Sequence, residues 1–150
     1  MTNKVIVQPG GKTFTTIQAA INSITDASEK LWYSVLCSPG TYNECITLKP
    51  WVFVIGMDES TDSTIITATA DQGYTVKAAS NSGVTACTII STAISNMGSP
   101  GAVTCDNAVN FRLTGCKVYT KHGPGQFHPG IIMTVSSNIN SAWAPLPACL

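Results

Sequence analysis

The chain carries few residues able to do chemistry, and they are unevenly spread. Only 11% of its 150 residues are Asp, Glu, Lys or Arg, and it has two histidines. Both of these, His122 and His128, stand in the stretch VYTKHGPGQFHPG with Tyr119, Lys121, Gln126 and Phe127. The Gly and Pro residues there mark a loop protruding between regular elements. Loops held on a rigid scaffold commonly carry binding. An aromatic ring beside amide and charged donors suits the apolar face and hydroxyl edge of a sugar. Tyr119, Lys121, His122, Gln126 and His128 are therefore the candidate ligand-binding residues. Two imidazoles with no third partner do not make a metal site. Of the carboxylates, only Asp58, Glu59 and Asp62 cluster. Calcium needs several oxygen ligands, and these three read better as a solvated turn between strands. The six cysteines, Cys37, Cys45, Cys87, Cys105, Cys116 and Cys149, are widely spaced, with no Cys-x-x-Cys pair. They read as buried thiols acting as small hydrophobes, with a disulfide or two as the alternative. No metal and no cofactor is implied.

The totals exclude several partners. The formal net charge is zero and the eight basic residues are scattered. Phosphate backbones call for clustered Lys and Arg, so nucleic acid is not an expected partner. MTNKVIVQPGGK has no signal-peptide apolar core. The longest apolar run, WVFVIGM, falls far short of the roughly 20 residues of a membrane helix. A soluble chain with no membrane partner is expected. With so little charge, the surface must be polar through Thr, Ser, Asn and Gly, which suits pleated strands and tight turns.

The elements that position these residues read as one helix followed by short strands. Thr15 with Gln18 three residues later forms a capping-box pattern. Ile17, Ala20, Ile21 and Ile24 then share one helical face. This predicts a capping helix over about 15–24, lying on something flat and apolar. WYSVLC, ECITLK, WVFVIG and STIITA follow as strands punctuated by turn residues. GYTVKAASNSGVTACTIIST (73–92) and GAVTCDNAVNFRLTGCKVYT (101–120) are parallel copies, and GIIMTVSSNINSAW (130–143) begins a third. Such a repeat of short strands points to a solenoid. Equivalent side chains would stack in ladders about 4.8 Å apart, with Cys87 over Cys116 and with Ile66, Ile90 and Val118 in line. Pro39-Gly40 is then a corner at which the chain keeps winding. Trp32 and Trp51 read as packing residues at the ends of the core.

Several of these segments resemble the pectin-lyase-like superfamily of parallel β-helices. GGKTFTTIQAAI is similar to its N-terminal capping helix, SPGTYNECITL to its Pro-Gly-x-Tyr-x-Glu corner, and VFVIGMDESTDSTIIT to the next coil. Together they cover roughly residues 7 to 67, and the N-terminal half is most similar to the pectin methylesterases (pectinesterases). The resemblance implies an all-β fold: a short right-handed, single-stranded parallel β-helix of about four to five coils with an N-terminal capping α-helix. The coils would run over about 31–143 and an apolar tail over 142–150. Glu44 would satisfy backbone amides at the corner.

The family's catalytic residues do not carry over. Its Gln before the Ala-Val strand falls on Gly101, and its Gln-Asp pair falls on His122 and Gly123. No catalytic residue is therefore assigned. Three expectations follow: a noncatalytic β-helix that binds or presents itself to polysaccharide, a pectinesterase-type esterase or lyase fragment lacking its catalytic coils, or a structural β-helical component of a viral or surface appendage. An extracellular, cell-surface or virion-associated location fits all three. The apolar tail around Trp143 or a neighbouring chain, as in a homo-oligomer, would cover the last coil, the alternative being that the chain is part of a longer β-helix.

Overall fold

A computed structural model of the chain describes residues 2–11, 13–58, 60–69, 74–93, 101–122, 127–129 and 131–132. The expected apolar tail, Trp143 and Cys149 lie outside these residues. The strands are β1 (Thr2–Val7), β2 (Trp32–Cys37), β3 (Gly40–Asn43), β4 (Ile46–Thr47), β5 (Val52–Gly56), β6 (Thr64–Thr69) and β7 (Val76–Lys77). They continue as β8 (Gly83–Thr85), β9 (Thr88–Ala93), β10 (Val103–Thr104), β11 (Arg112–Thr114), β12 (Lys117–His122), β13 (Phe127–Pro129) and β14 (Ile131–Ile132). One helix, α1 (Ile17–Ser23), follows β1.

From β2 to β12 consecutive strands never pair. The first sheet runs β1-β2-β5-β8-β11, the second β14-β10-β7-β4, and the third β13-β12-β9-β6-β3. Every pairing is parallel except β12 with β13. The chain therefore visits the three sheets in turn and returns one strand further along, which is the right-handed parallel β-helix expected. Pro39-Gly40 is indeed a corner, joining β2 of the first sheet to β3 of the third.

Three ladders of apolar side chains meet inside the coil. Val5, Val35, Val54, Val84 and Leu113 are successive partners in the first sheet. Ile46, Val76 and Val103 do the same in the second, and Tyr42, Ile66, Ile89 and Val118 in the third. Side chains alternate across a strand with period two, so each ladder recruits every second residue of its strand. That alternation corrects one expected step. Ile89, fully buried, partners Ile66 and Val118, whereas Ile90 partners Thr67 and Tyr119 and faces outward. A slip of one residue sends a side chain to the opposite face. The register pairs Val76 with Val103 and Val103 with Ile131, spacings of 103 − 76 = 27 and 131 − 103 = 28.

Cys87 and Cys116 do occupy matched positions, since Thr88 pairs with Lys117 and the Lys117 N–H donates to the Cys87 carbonyl at 3.1 Å. Cys37, Cys87 and Cys105 are buried thiols, while Cys45 and Cys116 are half-buried, and all five are free. Burial pushes the Cys87 thiol up to about 12 and Cys105 up to about 11.

The helix starts one residue later than the capping-box reading placed it. Thr16 is the N-cap, and its hydroxyl accepts from the Ala19 N–H at 3.3 Å. Ile17, Ala20, Ile21 and Ile24 are all buried against the open first coil. Covering that coil removes an unpaired edge that would otherwise invite strand addition. The segment from Glu44 to Lys49 straps the helix down. The Glu44 carboxylate accepts from the N–H groups of Ile17 and Gln18 at 2.7 and 2.9 Å. Gln18 Oε1 accepts from the Thr47 N–H at 2.7 Å, and Lys49 Nζ donates to the Asn22 and Ile24 carbonyls. An anion at the helix start and a cation at its end both oppose the backbone dipole favourably. Glu44 therefore serves the helix rather than the corner, and Gln18 turns to the strap instead of closing a capping box.

Candidate functional site

The corner motif is structural throughout. The Tyr42 hydroxyl, inside the coil, donates to the carbonyls of Ser38 at 2.8 Å and Val7 at 3.3 Å, tying the second coil to the first. Burial, then the neighbouring thiols Cys37 and Cys87, raise its ionisation above the ordinary phenol range. A Cβ on Gly40 would come within 2.7 Å of Pro9 Cγ, so glycine is needed where the first two coils touch. With Glu44 committed to the helix amides, the motif has no carboxylate left for catalysis.

The residues with binding potential lie instead on the outer face of the third sheet. Asn43, Thr67, Ile90 and Tyr119 form one outward row. Thr69, Thr92 and Lys121 form the next. Tyr119 and Lys121 are two residues apart on β12 and so share this face, and both are half-buried. At the other end of the same rows a cleft of about 310 Å³ opens, lined by Asn43, Glu44, Cys45, Thr67, Ala68 and Thr69. In it the Cys45 thiol donates to the Tyr74 carbonyl at 3.3 Å. Three strand steps, about 14 Å, separate Asn43 from Tyr119. The face is thus a polar strip with an aromatic and a cation at one end and a cleft at the other.

The expected protruding loop is a hairpin. β13 lies antiparallel along β12, pairing Tyr119 with Pro129, Thr120 with His128 and Lys121 with Phe127. His128 therefore shares its register with Thr120, whose side chain is buried, rather than with Tyr119 and Lys121. His122 ends β12 opposite Ala93. Gln126 and Gly123 lie outside the described residues. Gly101, at the family's glutamine position, is buried just before β10. The nearby Asp106 is exposed in the following turn.

The acidic turn after β5 is bound both within itself and to β12. Asp58 accepts from the Ser60 N–H and the Ser63 hydroxyl. Asp62 takes Lys117 Nζ at 2.7 Å, and this hydrogen bond raises the lysine's pKa. Glu59 lies outside the described residues. Among the described residues no group of three or more His, Cys, Asp or Glu is placed to hold a metal ion, and no helix is long and apolar enough to cross a membrane.

Trp32 and Trp51 do not end the core. Trp32 is 44% exposed, on the outside of the first sheet, and stacks on Trp51. Alternation counted from buried Val35 and Cys37 puts Tyr33 inward and Trp32 outward, so the signal was present in WYSVLC.

A three-sheet parallel coil with a helix over its first turn defines a right-handed parallel β-helix. Among solved structures it is similar to pectin methylesterase PemA from Erwinia chrysanthemi, with a TM-score of 0.60 and 19% identity over 81% of this chain and 46% of that one. It is also similar to a pectin methylesterase aspartate-to-alanine mutant in complex with a hexasaccharide, with a TM-score of 0.53 and 17% identity over 77% of this chain and 49% of that one. The chain spans about half the length of each, and at these identities the likeness is one of fold. No protein-family model matches the chain, and no curated protein sequence matches it.

Proposed function

We propose that this β-helix binds polysaccharide along the outer face of its third sheet without cleaving it. The observation carrying this reading is the register that aligns Tyr119 and Lys121 with Thr67, Thr69, Thr92 and Asn43. Hydroxyl, amide and ammonium groups, interrupted by Ile90, recur at the strand spacing and match the repeating hydroxyl groups and apolar ring faces of an extended glycan. The rows are held by a rigid sheet, so little backbone entropy is lost on binding. The fold likeness to a hexasaccharide-bound protein supports a saccharide as the ligand class.

Glycan-array binding by the wild-type chain is expected, with the signal from uncharged glycans lost when Tyr119 and Lys121 are replaced by Ala. Unchanged binding in that double variant would remove the third sheet from consideration. A second reading, an esterase of the pectin methylesterase type, is favoured by the fold likeness alone. Fold does not carry chemistry, and Gly101 and His122 stand where such an enzyme needs Gln. Sustained methanol release from methylated pectin would establish the esterase, and the noncatalytic reading expects none.

A further inference from the structure

The outer face of the first sheet is aromatic where that of the third is polar. The Trp32 ring centroid lies 6.1 Å from that of Trp51 at 25°, and 5.8 Å from that of Phe53 at 39°. The Trp32 Nε1–H donates to the Glu29 carbonyl at 2.7 Å, which fixes the exposed indole. Phe53 lies against Gly83: a Cβ there would stand 3.3 Å from Phe53 Cδ1 and 2.7 Å from the Arg112 carbonyl oxygen. Glycine thus keeps the sheet flat beneath the ring. The result is a rigid three-ring platform, and such exposed aromatic clusters mark interaction sites.

Backbone geometry alone would not choose Trp at position 51. Its φ is 65°, and the residues stacked after it, Asn81 and Asn110, have φ of 55° and 58°. Stacking is direct: the Trp51 N–H donates to the Asn81 carbonyl, and Asn110 Nδ2 to Asn81 Oδ1. Asn tolerates left-handed backbone, whereas a bulky side chain there is an outlier that points to a use for the side chain.

Charge narrows the partner. Lys4, Ser34, Phe53, Gly83 and Arg112 form one row across the five strands. A cation therefore stands at each end of a row about 19 Å long, with an aromatic ring between them. Both cations are exposed, and among the described residues neither side chain has an ion pair or hydrogen bond. The geometry points to a second binding surface, for an acidic polysaccharide. Its pyranose rings stack their C–H faces on Trp32 and Phe53, and its carboxylates pair with Lys4 and Arg112. This surface lies on a different sheet from Tyr119 and Lys121 and does not depend on them.

Titration of the full chain with a hexameric oligogalacturonate, followed by tryptophan fluorescence and calorimetry, tests the proposal. A neutral glucan of equal length is the control. Saturable binding is expected, weakened by salt, with the glucan binding at least about tenfold more weakly. Trp32→Ala and Arg112→Gln should each weaken binding about tenfold, the size of one lost stacking or ionic contact. Trp51→Asn installs the residue that two later coils use, so it should keep the wild-type circular dichroism while losing affinity. Lys4→Gln, at a fully solvated position, supplies a variant with no folding risk. Wild-type affinity in Trp32→Ala and Lys4→Gln, equal binding of the glucan, or concentration-dependent self-association through this face would each overturn the proposal. Tyr119→Ala must leave the fluorescence change intact, which separates this outcome from failure of the third-sheet site.

Discussion

Two rows of side chains lie next to each other on the same five strands. The inward row is Val5, Val35, Val54, Val84 and Leu113, while the outward row is Lys4, Ser34, Phe53, Gly83 and Arg112. The first is nearly uniform and the second has no two residues alike. The backbone is common to both, so the contrast comes from the surroundings. Inside, each side chain must fill the space above its equivalent at close-packed density. Outside, Lys4 and Arg112 stand in water, which accepts almost any residue, while Gly83 is set by its close approach to the Arg112 carbonyl. The same contrast separates the outer faces of the first and third sheets, aromatic and polar on one scaffold.

The contrast is sharpened most by adjacent residues of β9. Ile89→Ala removes an inward methyl cluster and should cost about 2–5 kcal/mol in denaturant unfolding. Ile90→Ala, on the outward row, should cost less than about 1 kcal/mol. Equal costs would erase the distinction between the two faces. A smaller effect is expected at the end of the stack. Glu44→Ala strips the acceptors from two helix amides and should cost about 2–3 kcal/mol, with loss of the helical circular dichroism band. A cost near zero would show that burial of Ile17, Ala20 and Ile21 alone holds the helix.

Alkali should act on the buried thiols. Cys87 and Cys105 have pKa values raised above the ordinary thiol value of 9.0, to about 12 and about 11. Their neutral form is favoured in the fold, so their contribution is fully present below pH 9. Above it the unfolded thiols ionise first, and stability falls, by up to about 1.4 kcal/mol per thiol per pH unit. The loss should run from pH 9 to about 11 for Cys105 and to about 12 for Cys87. Alkaline denaturation curves of the wild type and of Cys87→Ala would check this, the variant showing the shallower decline.

Much of the coil was legible because stacking writes itself into sequence as repetition. Cys87 with Cys116, the Pro39-Gly40 corner and the apolar face of the helix could be read from spacing alone. What could not be read depended on contacts across 25 or more residues. Glu44 and Lys49 meet the ends of a helix formed well before them in the chain, and no local pattern announces that. The misplaced Ile90 shows a different limit, since in TIIST two adjacent isoleucines satisfy either register until a partner strand is known. Trp32 and Trp51 were misplaced because size suggested a core, although the alternation of β2 put Trp32 outside and the left-handed turn at Trp51 could not be foreseen. Of the loop candidates, pairing of β12 brings Tyr119 and Lys121 onto one face, a consequence of period two, whereas His128 falls at a different register position that only the hairpin sets.

The stacked coil itself is tested most directly by interstrand backbone nuclear Overhauser contacts in the native chain. Contacts linking Phe53 to Gly83, Val54 to Val84 and Ile55 to Thr85 are expected, with partner numbers rising together. A pattern in which partner numbers fall as residue numbers rise, or in which β5 contacts β6 along its length instead of β8, would contradict it.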